Sequence, residues 1–300
     1  MGRDTGFLGS ASAHAKINLS LTITGKRPDG YHEIESLMAP LTLCDEVSLF
    51  AGEPGSGITV SCPFPGVPED ASNLAVRAAR LFFRERAGGG DIFIRIEKAI
   101  PPGAGLGGGS SDAAAVLSLL NRVYGKALPD EALFRMASSL GADVPFFLLG
   151  RPALARGIGE ILTPVSGVRP YFVVLVHPGF PLSTAEVYGR YKFTLTRPGK
   201  IHRLRVLKDG PDGGARVETG PTRLSALLSN DLTAPACEVR PELYGVIAAV
   251  AGSGALGALM TGSGSAVFGL FDDAGKARAA REALLGAHPS WTVFLTRILS

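Results

Sequence analysis

From Gly103 to Ser111 the chain reads Gly-Ala-Gly-Leu-Gly-Gly-Gly-Ser-Ser, with Pro101 and Pro102 just before it. Glycine allows positive φ and lets a backbone approach a ligand closely. Successive N–H groups can then converge on an anion, and a helix N-terminus adds partial positive charge. Five glycines and two serines in one short run are costly to order unless something binds there. The segment lies between an alternating pattern (Ile92, Ile94, Ile96) and a helical one (Ala113, Ala114, Val116, Leu117, Leu120). Anion binding is the chemistry this arrangement favours. Ser110 and Ser111 can cap the helix or touch a phosphate.

Three readings compete for the run. Gly103, Gly105 and Gly108 formally fit the dinucleotide fingerprint, which requires an acid at a strand end about 20 residues further on. Asp130 and Glu131 open a predicted helix instead. A P-loop requires a lysine after the glycines, and none follows. The structural alternative is a plain turn with a helix cap, which explains a single glycine pair better than it explains five.

The elements around the run follow from periodicity. Strands are expected over 11–25, 45–51, 57–62, 91–97, 171–177, 255–260, 266–271 and 291–296, with turn chemistry at Pro28-Asp29-Gly30. Helices are expected over 72–86, with Ser72 or Asn73 as cap, and over 110–124, 130–139, 183–191, 239–251 and 273–285. Residues 144–149 are a short apolar run. Residues 1–10 read as a frayed tail and 197–221 as a polar surface excursion. Strands come in groups followed by helices, which favours α+β over a doubly wound sheet. Gly and Pro are dense near 150–170, where a domain boundary is expected.

Composition narrows the class. The chain has 300 residues, 46% apolar and 19% charged, with a net charge of +3 that is dispersed. That balance excludes a disordered chain and argues against a nucleic-acid binder, while allowing anionic substrates. Cys44, Cys62 and Cys237 are scattered, so neither a disulfide framework nor a zinc site is indicated. No signal-like segment or long apolar span is legible, and a cytoplasmic protein without membrane contact is expected.

Three separated motifs resemble those of the GHMP kinase superfamily: Ala13-His14-Ala15-Lys16-Ile17-Asn18, the run Pro101 to Ser111 with its Asp112-Ala113-Ala114 extension, and Thr261-Gly262-Ser263-Gly264-Ser265. Further pieces narrow the likeness: Lys26 to Glu33, Leu140-Gly141-Ala142-Asp143-Val144-Pro145, Arg156 to Glu160, His177-Pro178-Gly179 and Ser229-Asn230-Asp231-Leu232. They resemble the branch that phosphorylates a cytidine diphosphate-linked methylerythritol in non-mevalonate isoprenoid synthesis. His14, Pro102 and Leu259 depart from the pattern, standing where Pro, Met and Arg are usual.

The resemblance implies an α+β two-domain GHMP kinase fold. The N-terminal domain (1–163) would resemble domain 2 of ribosomal protein S5, and the C-terminal domain (164–300) would be ferredoxin-like. It implies Asp143 as base and Lys16 as the cation that keeps it ionised or orients the hydroxyl. Pro101, Pro102, Gly103, Ala104, Gly105, Leu106, Gly107, Gly108, Gly109, Ser110 and Ser111 would hold ATP. Asn18, Tyr31, His32, Thr184 and Tyr188 would bind the cytidyl substrate. Gly262, Ser263 and Gly264 would approach the phosphates. ATP with Mg2+ is the implied cofactor pair, with no cluster of protein metal ligands legible. A monomer or weak homodimer is expected. A homoserine or mevalonate-type kinase is the alternative within the superfamily; a nucleic-acid binder and an NAD-dependent oxidoreductase are the alternatives outside it.

Overall fold

A computed structural model describes residues 6–192, 215–217, 219–220, 224 and 227–300. The chain forms two compact units, and neither is one continuous stretch. The first contains the described residues of 1–15, 44–102 and 107–150; the second those of 16–43, 103–106 and 151–300.

The first unit begins with the N-terminal half of β1 (Phe7–Lys26) and contains the end of β2 (His32–Ala51). It continues through β3 (Ile58–Ser61), α1 (Leu74–Glu85), β4 (Ile92–Glu97), α2 (Gly108–Val123), α3 (Asp130–Leu140) and α4 (Val144–Leu149). β4 pairs antiparallel with Glu46–Ala51 of β2 and parallel with β3. Its three isoleucines enter a core shared with Val47, Leu49, Phe82, Val116 and Leu117, as the period-2 pattern requires. Asn73 is the cap of α1: its Oδ1 accepts from Ala75 N at 2.9 Å, while Ser72 bonds Asp70.

Two expectations are corrected here. Residues 7–10 belong to β1 rather than to a frayed tail, and Gly6 O accepts from Ala51 N at 2.7 Å. The strand expected over 45–51 is the end of a 20-residue strand. Ser36–Leu41 are buried without a break, so the alternation that signals a half-exposed strand is missing there.

In the second unit β7 (Phe172–His177), β10 (Gly257–Met260), β11 (Val267–Phe271) and β12 (Thr292–Arg297) form an antiparallel sheet in the order β10-β11-β7-β12. The unit's other strands are β5 (Ala153–Arg156), β6 (Ile161–Ser166), β8 (Ala215–Arg216) and β9 (Ser229–Asn230). β5 pairs with Ser36–Met38 of β2 and with β6, and β9 pairs with Ser20–Leu21 of β1. The helices are α5 (Thr184–Arg190), α6 (Thr233–Val239), α7 (Glu242–Gly252) and α8 (Ala274–Ala287). Val174, Val176, Val246, Val250, Val267 and Leu284 lie in this unit's core.

The helix expected over 239–251 runs over Glu242–Gly252, and a separate helix, Thr233–Val239, which periodicity did not indicate, precedes it. Pro241 has no N–H to continue the earlier helix and sits at the N-cap of the later one. Most of the excursion expected over 197–221 lies outside the described residues; Ala215–Arg216 pair parallel with β6 and are not free surface loop. Among the described residues, no helix is long and apolar enough to cross a membrane.

Candidate active site

The glycine run leaves the first unit at Pro102 and re-enters it at Gly107. Gly103, Gly105 and Gly107 have φ of 66°, 77° and 74°, which L side chains resist. Between them Ala104 and Leu106 are both 1% exposed and act as anchors. The carbonyls of the second-unit portion face that unit's own framework: Leu106 O accepts from Lys16 N at 3.0 Å, Ala104 O from Ala266 N at 3.1 Å and Gly103 O from Leu182 N at 3.3 Å.

A Cβ on Gly105 would overlap the Thr261 carbonyl and lie 3.1 Å from Gly264 O. One on Gly262 would lie 3.1 Å from Gly105 O and 3.3 Å from Lys16 Nζ. The two glycine loops therefore meet backbone against backbone, with the Lys16 ammonium beside the contact. Close loop packing is a reason for these glycines that the motif alone does not reveal.

Lys16 is 4% exposed. Its Nζ donates to Asn18 Oδ1 at 2.7 Å, because strand alternation puts both side chains on one face of β1. Asn18 is itself buried and already bonded: Oδ1 also accepts from Thr261 Oγ1 at 3.2 Å, and Nδ2 donates to Ser36 Oγ at 2.8 Å. Asn18 N donates to Thr261 Oγ1 at 3.0 Å. Asn230 Nδ2 donates to both Met260 O and Gly262 O at 2.8 Å, fixing the second glycine loop from its other end.

In the first unit, α2 starts at Gly108 with Gly107 as a left-handed cap and no side-chain cap bond. Ser110 and Ser111 thus lie inside the first turn, Ser111 buried and Ser110 partly exposed. The N–H groups of that turn are the positive end of the helix dipole.

Behind the same turn lies a group that motif reading passed over. Lys98 Nζ is bonded to Asp112 Oδ2 at 2.8 Å and to Asp45 Oδ2. Asp45 Oδ1 accepts from Ala99 N at 2.6 Å and Ile100 N at 2.8 Å. All three side chains are at most 5% exposed. Burial, chiefly, and the neighbouring Asp45 charge push the Asp112 carboxyl up to about 7 despite Lys98. Burial opposes the charge on Lys98, yet the two carboxylates outweigh it and hold the ammonium above its ordinary value. The available signal was a lysine just before the loop and an acid just after it.

Asp143 sits at the N-cap position of α4 in helical conformation, without a side-chain cap bond. The extended φ of 170° at Gly141 carries the chain into it from α3, and Pro145 starts the helix after it.

The aromatic residues separate. Gly30 N donates to Arg27 O at 3.0 Å and Arg27 N to Tyr31 O at 2.7 Å, the tight turn that Pro28-Asp29-Gly30 predicts. Tyr31 leaves it 61% exposed. His32 instead meets Tyr188 on α5, with centroids 5.3 Å apart, and Tyr191 edge-on at 6.0 Å. Burial, with Lys26 nearby, lowers the His32 pKa, which favours the neutral ring. Thr184 Oγ1 is 2.9 Å from Ser263 Oγ, linking the start of α5 to the second glycine loop.

Residues 73–151 match the model of the GHMP kinases N terminal domain and 221–289 that of the GHMP kinases C terminal. Over 268 residues the chain is 44% identical to 4-diphosphocytidyl-2-C-methyl-D-erythritol kinase of Geobacter sp. (strain M21), covering 89% of this chain and 91% of the relative. The chain belongs to the GHMP kinase family. The same enzyme of Geobacter metallireducens is 40% identical over 287 residues, covering 96% of this chain and 97% of the relative. A crystal structure of 4-(cytidine 5'-diphospho)-2C-methyl-D-erythritol kinase superimposes with a TM-score of 0.76 at 38% identity, covering 97% of this chain and all of that one. Homoserine kinase from Cytophaga hutchinsonii shares the fold at a TM-score of 0.73 and 16% identity. GHMP kinases use ATP as phosphate donor.

Proposed function

We propose that the chain phosphorylates the C2 hydroxyl of 4-diphosphocytidyl-2-C-methyl-D-erythritol with ATP, giving the 2-phosphate and ADP, in non-mevalonate isoprenoid biosynthesis. The observation that carries this reading is the 38–44% identity to kinases of that name over 89–96% of the chain.

Phosphoryl transfer rests on positioning and charge stabilisation more than on covalent chemistry by the protein. In this reading the first turn of α2 and the glycine run hold the phosphates; Gly262, Ser263 and Gly264, packed against Gly105, are also assigned to phosphate binding. Asp143 accepts the proton of the attacking hydroxyl, a role supported by its place in the Leu140-to-Pro145 motif that resembles the family's. Lys16 supplies positive charge, and Asn18 holds its ammonium in place instead of contacting substrate. His32 and Tyr188 receive the cytosine, supported by their ring contact; exposed Tyr31 offers a further stacking face. Thr184 acts through Ser263.

Mg2+ bound with the triphosphate would take its ligands chiefly from nucleotide oxygens and water, with Ser111 as the candidate ligand from the protein. Among the described residues no group of three or more His, Cys, Asp or Glu could hold it. When bound, it neutralises charge on the transferred phosphoryl group. We assign 1–163 and 164–300 as the N- and C-terminal domains; the two family-model matches fall on either side of that division.

A coupled ADP-release assay tests the reading. Turnover with the cytidyl substrate and none with homoserine or mevalonate is expected. Equal turnover without the cytidine moiety would overturn it.

A further inference from the structure

The glycine run is held at both ends by one buried ionic group. On the entry side, Asp45 Oδ1 takes the N–H groups of both Ala99 and Ile100, fixing the chain immediately before Pro101. On the exit side, Lys98 Nζ bonds Asp112 in the first turns of α2. The same ammonium lies directly behind the helix start: a Cβ on Gly108 would be 3.0 Å from Nζ and 3.1 Å from Ile100 Cγ2. The two carboxylates share this one cation, so the ends of the run are tied through Lys98. Asp112 Oδ1 is buried without a hydrogen-bond partner, an arrangement that burial makes costly for an ionised group.

We infer that Asp45, Lys98 and Asp112 form a clamp that sets the separation of the two ends of the glycine run, and the charge behind it, for the triphosphate of the nucleotide. These are positioning residues, acting through Ile100 and the first turn of α2 and not by touching the reacting atoms. Nothing in the phosphate-binding chemistry itself requires a lysine buried between two acids. A purely apolar filling would be as stable or more so, which points to a role beyond stability.

The charge of the clamp changes near neutrality. With Asp112 protonated, Lys98 and Asp45 cancel; with Asp112 ionised, the group carries one net negative charge behind an anion site. The Asp112 carboxyl, pushed up to about 7, crosses between these states in the working range. The titratable groups facing it are Lys98, Asp45 and Cys62; burial raises the Cys62 thiol, and Glu69 accepts the Cys62 N–H. Nucleotide affinity is therefore expected to fall as pH rises through about 7.

This rests on the reading that the glycine run binds ATP, and the test separates the two. Binding of a non-hydrolysable ATP analogue is measured by calorimetry from about pH 6 to about pH 8, beside steady-state kinetics. Wild-type protein that binds no nucleotide overturns the ATP reading itself. Given wild-type binding, Lys98→Met is expected to raise Kd and KM for ATP roughly tenfold, with KM for the alcohol substrate unchanged. Asp112→Asn keeps the side-chain size, and folding is checked by its thermal transition. Wild type is expected to bind roughly tenfold more weakly at the upper end of that pH range, and Asp112→Asn to lose this dependence. A folded Asp112→Asn with the wild-type pH dependence, or a folded Lys98→Met with wild-type ATP affinity, overturns the clamp.

Discussion

The Lys16 ammonium is held by Asn18, two residues along the same strand, through a 2.7 Å bond to an amide oxygen that Thr261 Oγ1 also reaches at 3.2 Å. A cation that would be solvated on an exposed strand is thereby fixed in direction, and one side chain links β1 to the second glycine loop. Replacing Asn18 with Leu keeps the branched shape and the number of side-chain heavy atoms and removes the anchor. We expect kcat to fall roughly tenfold to a hundredfold, in line with about 1–3 kcal/mol for a buried polar group left unpaired, with both KM values little changed. Steady-state kinetics with each substrate varied will check it. A large rise in KM for the cytidyl substrate at constant kcat would instead return Asn18 to direct substrate contact.

Asp143→Asn is expected to lower kcat by about 10²–10⁴-fold, the usual contribution of a general base. Its thermal transition, measured alongside, checks that the variant is folded. Full activity in the folded variant would sink the base assignment.

Two glycines of the same run should behave differently. Gly105 has φ of 77° and no room for a Cβ beside the second loop, so Gly105→Ala should destabilise the protein by about 1–3 kcal/mol. Gly109 is partly helical surface, and a Cβ there would meet only Leu74 Cδ1 at 3.8 Å. Gly109→Ala should leave the melting temperature unchanged and raise KM for ATP if the phosphates approach the backbone there. Calorimetric melting beside ATP titration separates packing from binding.

Tyr188→Ala removes the ring that faces His32. The KM for the cytidyl substrate should rise about three- to tenfold, in keeping with roughly 0.5–1.5 kcal/mol for an aromatic contact beyond area burial. The KM for ATP should not move. Competition by free cytidine nucleotides, weakened to the same degree, would give the matching evidence for base stacking.

Asp112 also predicts a stability trend. Its folded pKa, about 7, lies above the unfolded value near 3.8, so its contribution is fully present below about pH 4 and is lost as pH rises through about 7. The melting temperature of Asp112→Asn minus that of wild type should therefore increase from pH 5 to pH 8. A difference independent of pH would show that the carboxyl does not titrate in this window.

The residues that identify the family were legible from the sequence because their constraints are local. The Pro101–Ser111 run needs left-handed φ and a helix start within a few residues. The Pro28-Asp29-Gly30 turn needs only its own chemistry. The pairing of Lys16 with Asn18 follows from a period of two. The α+β class and most helices were readable for the same reason: one face of each is apolar at a regular spacing. What the sequence could not supply is long-range. β2 runs for 20 residues, yet burial on both faces erased the alternation of its first part. The helix Thr233–Val239 is too short to show a period, and Pro241 sets the start of the next one later than its apolar pattern suggests. That Gly105 is needed against Thr261, and that His32 rather than Tyr31 meets Tyr188, depend on segments more than 150 residues apart in the chain. Asp112 lies in the extension of a motif, but nothing in the sequence joins it to Asp45 and Lys98. The three charges become one unit only where the fold withdraws them from water, and there burial above all, with their mutual distances, decides which of them keeps its proton.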